Sequence, residues 1–280
     1  MSCKRLLVFL DDSLTCVTRT QVAIQLARQL DCQLVGLAPT GLLELPAVPS
    51  SAAALSEFAA TAWDAMRDQA ERVAERFRHD CRTAGVASFE VIIDEADKAS
   101  SLVRHAHCSD LTLLTQADSD APGHRAASEL VETVVLHSAR PTLILPHTGR
   151  FDPIGTRALV AWDESRESAR AVADAMPLLR RAAEVRLATW PEGDGSERQV
   201  LQAQLDAACG WLALHGVAAQ AQIEAPNPSI AAALLARAAE SRSDLIVMGA
   251  WGHARWAERL LGGATRGLLR SMTVPVLMSH

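Results

Sequence analysis

The chain lacks a membrane span: no apolar run approaches the ~20 residues that cross a bilayer. Its opening Leu6-Leu7-Val8-Phe9-Leu10 runs straight into Asp11-Asp12, too short for the core of a secretory signal. A cytoplasmic protein is therefore expected, with no membrane partner. It also lacks any CxxC pair. Its six cysteines (Cys3, Cys16, Cys32, Cys81, Cys108 and Cys209) are scattered, five of them in the first half. That pattern points to reduced thiols rather than a disulfide framework. No basic excess exists either: the formal net charge is −6, which argues against a general nucleic-acid binder but leaves room for a small anion held by a few local donors. There is no GxxxxGK[ST] run, which excludes an ordinary P-loop NTPase, and the only lysines are Lys4 and Lys98.

What is present is a large apolar fraction, 49% of 280 residues, enough for two cores. Short apolar runs alternate with helical patterns. In the first half the runs are 5–10, 32–37, 89–93, 111–114 and 141–145. Between them lie helical patterns at about 15–29, 52–84, 99–108 and 128–138, with a proline-bearing loop at 39–51. Mostly apolar strands alternating with helices predict an α/β fold: an open parallel sheet covered by helices on both faces.

The pattern then repeats. Arg157-Ala-Leu-Val-Ala-Trp162-Asp163-Glu-Ser165 mirrors Arg5-Leu-Leu-Val-Phe-Leu10-Asp11-Asp-Ser13 at an offset of 152. Asp244-Leu-Ile-Val-Met248 mirrors Asp110-Leu-Thr-Leu-Leu114, and Pro275-Val-Leu-Met278 mirrors Pro141-Thr-Leu-Ile144, both at an offset of 134. Two tandem domains of one fold follow, at 1–147 and 154–280, joined by a Gly- and Pro-rich linker at 146–155. Each is expected to hold five parallel strands.

Chemistry concentrates in the second copy. After the strand Leu245–Met248 comes Gly249-Ala-Trp-Gly252-His-Ala-Arg-Trp-Ala-Glu-Arg-Leu-Leu-Gly262-Gly263-Ala264-Thr265, leading into a helix near Thr265. Glycines between a buried strand and a helix N-terminus suit an anion cradle, because main-chain N–H groups can approach phosphate oxygens and the helix dipole favours negative charge. The alternative is that Gly249 and Gly252 turn the chain while Gly262 and Gly263 allow close helix packing. His253 and Arg255 are either charge-assisted phosphate donors or solvated loop residues. Trp251 and Trp256 close over a ligand or anchor the loop. His105 and His107 sit one residue apart on a predicted helix and point to different faces, which disfavours a shared metal ion. Ser165 has no His–Asp partnership of the hydrolase kind.

With Val-x-x-Asp-x-Ser closing the first strand of the second half and the glycine stretch after its fourth, the chain resembles the universal stress protein family, over nearly its whole length and twice. The resemblance implies the adenine nucleotide alpha hydrolase-like fold. Nucleotide-binding members carry Gly-x2-Gly-x9-Gly-[Ser/Thr]. Gly249, Gly252 and Gly262 match that spacing, Gly263 stands at the hydroxyl position, and Thr265 offers a hydroxyl two residues on. The resemblance further implies that Asp163, with Ala161, Trp162 and Ser165 beside it, faces the nucleoside. Residues around Ala188 would lie near adenine, and Met248, Gly263, Ala264 and Thr265 would border the phosphates. Asp163 is equally suited to cap the following helix. ATP or another adenine nucleotide, with Mg2+, is the implied ligand, and the role regulatory. With no positioned base, the protein is at most a slow ATPase. In the first half Thr115, Asp118, Ser128 and Glu129 replace the glycines, so no triphosphate site is expected there. The family's fifth strands pair antiparallel, which would make the two halves an internal pseudo-dimer, open to further homodimer formation. A scaffold that binds no nucleotide is the rival reading.

Overall fold

A computed structural model describes residues 3–42, 52–191, 198–251 and 263–280. The first half runs β1 (Arg5–Phe9), α1 (Leu14–Leu30), β2 (Gln33–Pro39), α2 (Ala52–Thr83), β3 (Phe89–Asp94), α3 (Lys98–Ala106), β4 (Leu111–Thr115), α4 (His124–His137) and β5 (Thr142–Leu145). The second repeats it as β6 (Arg157–Ala161), α5 (Arg166–Leu179), β7 (Glu184–Thr189), α6 (Arg198–Leu214), β8 (Ala219–Ile223), α7 (Ile230–Glu240), β9 (Leu245–Gly249), α8 (Gly263–Ser271) and β10 (Val276–Ser279). Pro39, placed in a loop by its residue type, ends β2 instead. It pairs with Asp94 of β3.

The chain packs as two compact units, Cys3–Leu113 and Leu114–His280. The first holds strands in the order β3-β2-β1-β4, all parallel. The second holds β5-β10-β9-β6-β7-β8, parallel except for β5. This division differs from the repeat boundary at 147/154. The reason is β5, which pairs antiparallel with β10 and thereby joins α4 and β5 to the second half. In that pairing Leu143 faces Leu277, its own counterpart one repeat later, so a local pseudo-two-fold axis passes between them. Arg266 on α8 meets Glu132 on α4 through two nitrogens at 3.0–3.3 Å. These two positions are also separated by 134.

Carboxylates show how closely the copies agree. Asp110, just before β4, accepts the main-chain N–H groups of Lys4 and Arg5 at 2.7 and 3.0 Å. Asp244, just before β9, accepts those of Gly155, Thr156 and Arg157 at 2.8–3.2 Å. In both places a side chain satisfies donors that the first residues of a central strand would otherwise leave unpaired. Burial nevertheless pushes the Asp244 carboxyl above the ordinary carboxylate range, against the three N–H donors that pull it down. Strand interiors β1, β4, β6, β9 and β10 are almost fully buried, as sheets covered on both faces require.

Candidate functional site

In the second unit the chain moves from β6 outward to β7 and β8, then returns to the other side of β6 with β9 and β10. The connection therefore reverses direction between β6 and β9, and the carboxyl ends of such neighbouring strands are where open α/β sheets bind ligands. Ala161 pairs with Ala188, and Val160 with Val247. Trp162 continues the ladder by donating its main-chain N–H to Ala188 O at 2.8 Å. The structure thus gathers Ala161, Trp162, Asp163, Ser165, Ala188, Met248 and Gly249 along one edge.

On the β6 side, Asp163 Oδ1 accepts both the main-chain N–H of Ser165 (3.0 Å) and its hydroxyl (2.6 Å). Ser165 Oγ in turn accepts from Ser168 N at 3.1 Å and is the N-cap of α5. The helix cap is therefore Ser165 rather than Asp163, which holds the capping residue through one oxygen. Among the described residues none bonds Oδ2. The adjacent Trp162 Nε1 is buried and, among the described residues, also without a partner. The carbonyl of Ala188 is already engaged by Trp162, and Thr189 O accepts from Glu224 N at 2.9 Å.

On the β9 side Met248 is buried and faces Met278. Gly249 has a packing reason to be glycine: a Cβ there would lie 2.6 Å from Glu167 C and from Ser168 N. Ala250 donates its N–H to Ser279 O at 2.9 Å. Trp251 has a left-handed backbone (φ 51°), and its N–H is accepted by Thr265 Oγ1 at 3.2 Å. Thr265 is buried, so its hydroxyl clasps the start of the loop. The helix expected to begin near Thr265 begins at Gly263, which places Gly263, Ala264 and Thr265 in its first turn. The site residues Gly252, His253, Arg255 and Gly262, and Trp256 with them, lie outside the described residues.

The two helix N-termini at this edge differ. That of α5 carries its own carboxylates, Asp163 on the cap and Glu167 in the first turn. Burial works against the charge on Glu167, but the Arg166 guanidinium, its own main-chain N–H and nearby His280 hold the carboxyl below the ordinary range. That of α8 has no acid in its first turn, and no described residue accepts from the N–H groups of Gly263 or Ala264. Such orphan donors, carrying the positive end of the helix dipole, suit an anion.

The first half is built differently at the corresponding places. Asp11 again accepts Ser13 N and Oγ, at 3.2 and 2.5 Å. Here a buried arginine also reaches it: Arg19 Nη2 lies 2.9 Å from Asp11 Oδ1, while Nε donates to Phe9 O at 2.7 Å. Its guanidinium lies 5.1 Å from the Phe9 ring centroid. The position one repeat later is Ala171. Helix α4 starts at His124, ahead of the 128 expected, so Ser128 and Glu129 lie inside a helix rather than at its mouth. Asp118 Oδ1 accepts from Asp120 N at 3.0 Å, and Glu129 pairs with Arg125 at 3.0 Å. His105 Nε2 lies 3.3 Å from Asp94 Oδ2, which also accepts Ser101 Oγ at 2.5 Å and Arg104. This network joins α3 to β3.

Sequence reasoning missed Arg19 and Glu167. Arg19 falls on the inward face set by Cys16, Thr20 and Ala23, and that spacing was the available signal. Nothing in the residue pattern marked Glu167, whose burial depends on Gly249.

The universal stress protein family model matches residues 156–280. No curated protein matches the chain. Among solved structures, a universal stress protein from Archaeoglobus fulgidus DSM 4304 has a TM-score of 0.74 at 19% identity, covering 99% of this chain and 96% of that one. A putative universal stress protein from Pseudomonas aeruginosa UCBPP-PA14 has 0.59 at 16%, covering 99% and 93%. With a parallel α/β repeat and a strand-end aspartate already in place, residues 156–280 match the universal stress protein family model, and the chain has the fold of universal stress protein structures along its whole length.

Proposed function

We propose that the second half binds an adenine nucleotide, ATP or a close relative, at the β6/β9 switch point, and that binding is regulatory rather than catalytic. The observation carrying this reading is a pair of features at that edge that no described residue satisfies: Asp163 Oδ2 on one strand end and the first-turn amides of α8 after the other. Asp163 is matched to ribose hydroxyls and is the carboxylate available to an accompanying Mg2+. The amides of Gly263 and Ala264 are matched to phosphate oxygens. Thr265, committed to Trp251, serves the loop. Residues 1–147 act as a copy without a phosphate site, because Arg19 neutralises Asp11 and α4 begins too early to present its N-terminus. Free, scattered cysteines favour a cytoplasmic setting. Any hydrolysis is slow, since the glycine stretch carries no lysine.

Thermal melting tests this. ATP, AMP or cyclic AMP at millimolar concentration should raise the melting temperature, as expected when a ligand binds only the native state. Asp163→Ala and Gly252→Asp should remove the rise. If no adenine nucleotide shifts melting, the site reading fails.

The antiparallel β5–β10 pairing supports a second reading. The halves form an internal pseudo-dimer that covers two strand edges without any ligand, and the protein acts as a scaffold for protein partners, as a monomer or a further homodimer. A flat nucleotide titration with an intact fold would favour it.

A further inference from the structure

Outside the β6/β9 edge, reactive side chains meet at the amino end of the first sheet. Gln33 donates its main-chain N–H to Lys4 O at 2.9 Å, and the register of β1 with β2 begins at Arg5 against Gln33. The residues just before this contact are Cys3 and Cys32. Both are free and buried, and each shifts the titration of the other, Cys3 upward and Cys32 downward. Adjacent strands stand about 4.8 Å apart, and a disulfide spans Cα separations of about 4.4–6.8 Å. The corresponding positions of the second copy are Gly155 and Ala183, so the pair belongs to the first half alone.

We propose that Cys3 and Cys32 are a redox-active thiol pair that closes reversibly to a disulfide when the protein meets hydrogen peroxide. The Cys32 sulfur attacks one peroxide oxygen and the O–O bond breaks. The departing hydroxide takes up a proton and leaves as water, and Cys32 becomes a sulfenic acid. The Cys3 sulfur then attacks the Cys32 sulfur. Its S–O bond breaks, and the hydroxide departs with the Cys3 thiol proton as a second water. In total the two thiols lose two electrons and two protons to one peroxide.

The division of labour follows from the directions of these shifts. The neighbouring Cys3 thiol, helped by Lys4, draws the Cys32 thiol below its ordinary range, against burial and the charges of Asp110 and Asp31. The neighbouring Cys32, with burial, pushes Cys3 far up. Cys32 is thus the attacking sulfur and Cys3 the resolving one. The product would tie the start of β1 to the left-handed turn at Asp31 that ends α1.

The test uses the full chain carrying Cys108→Ser, which removes the exposed thiol that would otherwise link two molecules. After mild peroxide treatment, denaturing alkylation and non-reducing digestion, mass spectrometry should find a Cys3–Cys32 cross-linked peptide two hydrogens lighter than its parts. A thiol reductant should dissolve it, and oxidation should raise the melting temperature by several degrees. In Cys3→Ser, Cys32 should run on to the sulfinic acid for want of a resolving partner. Recovery of both residues as alkylated thiols, or of over-oxidised Cys32 beside free Cys3 in the parent, would overturn the proposal. The cross-link in the parent needs no further variant to fold.

Discussion

Replacing Gly249 with alanine separates two uses of a glycine at the mouth of the proposed nucleotide loop. If its bareness serves phosphate alone, the substitution harms binding and leaves the free protein unchanged. The structure requires more. The added Cβ would stand 2.6 Å from two main-chain atoms, Glu167 C and Ser168 N, and 2.7 Å from Glu167 Cβ. Ordinary contact begins near 3.5 Å, so the first turn of α5 and β9 must part by roughly an ångström. Strand β9 is held on both sides by β6 and β10, which leaves α5 to move and carries the Ser165 cap and Asp163 with it. Overpacking of this kind costs about 1–3 kcal/mol, and main-chain obstacles place it at the upper end. At about 2–4 °C per kcal/mol, the ligand-free variant should melt roughly 5–10 °C below the parent. Gly210→Ala is the control: it lies inside α6 with nothing within 4 Å of its would-be Cβ and should gain about 0.5–1 kcal/mol. Scanning calorimetry on both, without nucleotide, decides. A Gly249→Ala protein melting with the parent would refute the packing argument.

Three further outcomes are expected. Thr142→Val should stabilise the protein by about 1 kcal/mol in urea titration, because the Thr142 hydroxyl is buried with no partner among the described residues and valine keeps the shape. Arg19→Leu should destabilise by roughly 2–4 kcal/mol, since it leaves Asp11 near a buried backbone without its cation; loss of less than ~0.5 kcal/mol would contradict the neutralising role. Burial opposes charge on Asp94, but Ser101, Arg104 and His105 hold its carboxyl below the ordinary value of 3.8. Its contribution is therefore present above that value and lost as pH falls through the lowered folded one. Asp94→Asn should flatten the acid limb of the stability profile, and an unchanged limb would count against the pairing.

The duplication was legible because it rests on local signals: Asp-x-Ser turns and strand-leading aspartates that cap the chain wherever they recur. The mostly parallel sheet followed from alternation. The division into compact units was not read from the residues: the β5–β10 pairing behind it, more than a hundred residues apart, came only as what the family resemblance implied. The start of α4 was misplaced for a local reason. Gly123 adopts a left-handed conformation that opens the helix at His124, without the Ser or Asp cap that announces α5. At the candidate site the sequence placed Asp163 and Gly249 together, yet it could not say that Gly249 makes room for a helix or that the Thr265 hydroxyl turns to Trp251. Both depend on what lies across the sheet edge.

A symmetric pair of identical chains would set residue 132 against itself, acid on acid or base on base. Joined in one polypeptide, the same two positions hold Glu132 and Arg266. Fusion thus frees each side of the axis to change alone, so that an alteration is felt once instead of twice and opposite charges can meet where identity forbids it. The same freedom lets one half keep a bare strand-end aspartate while the other fills that corner with its own arginine.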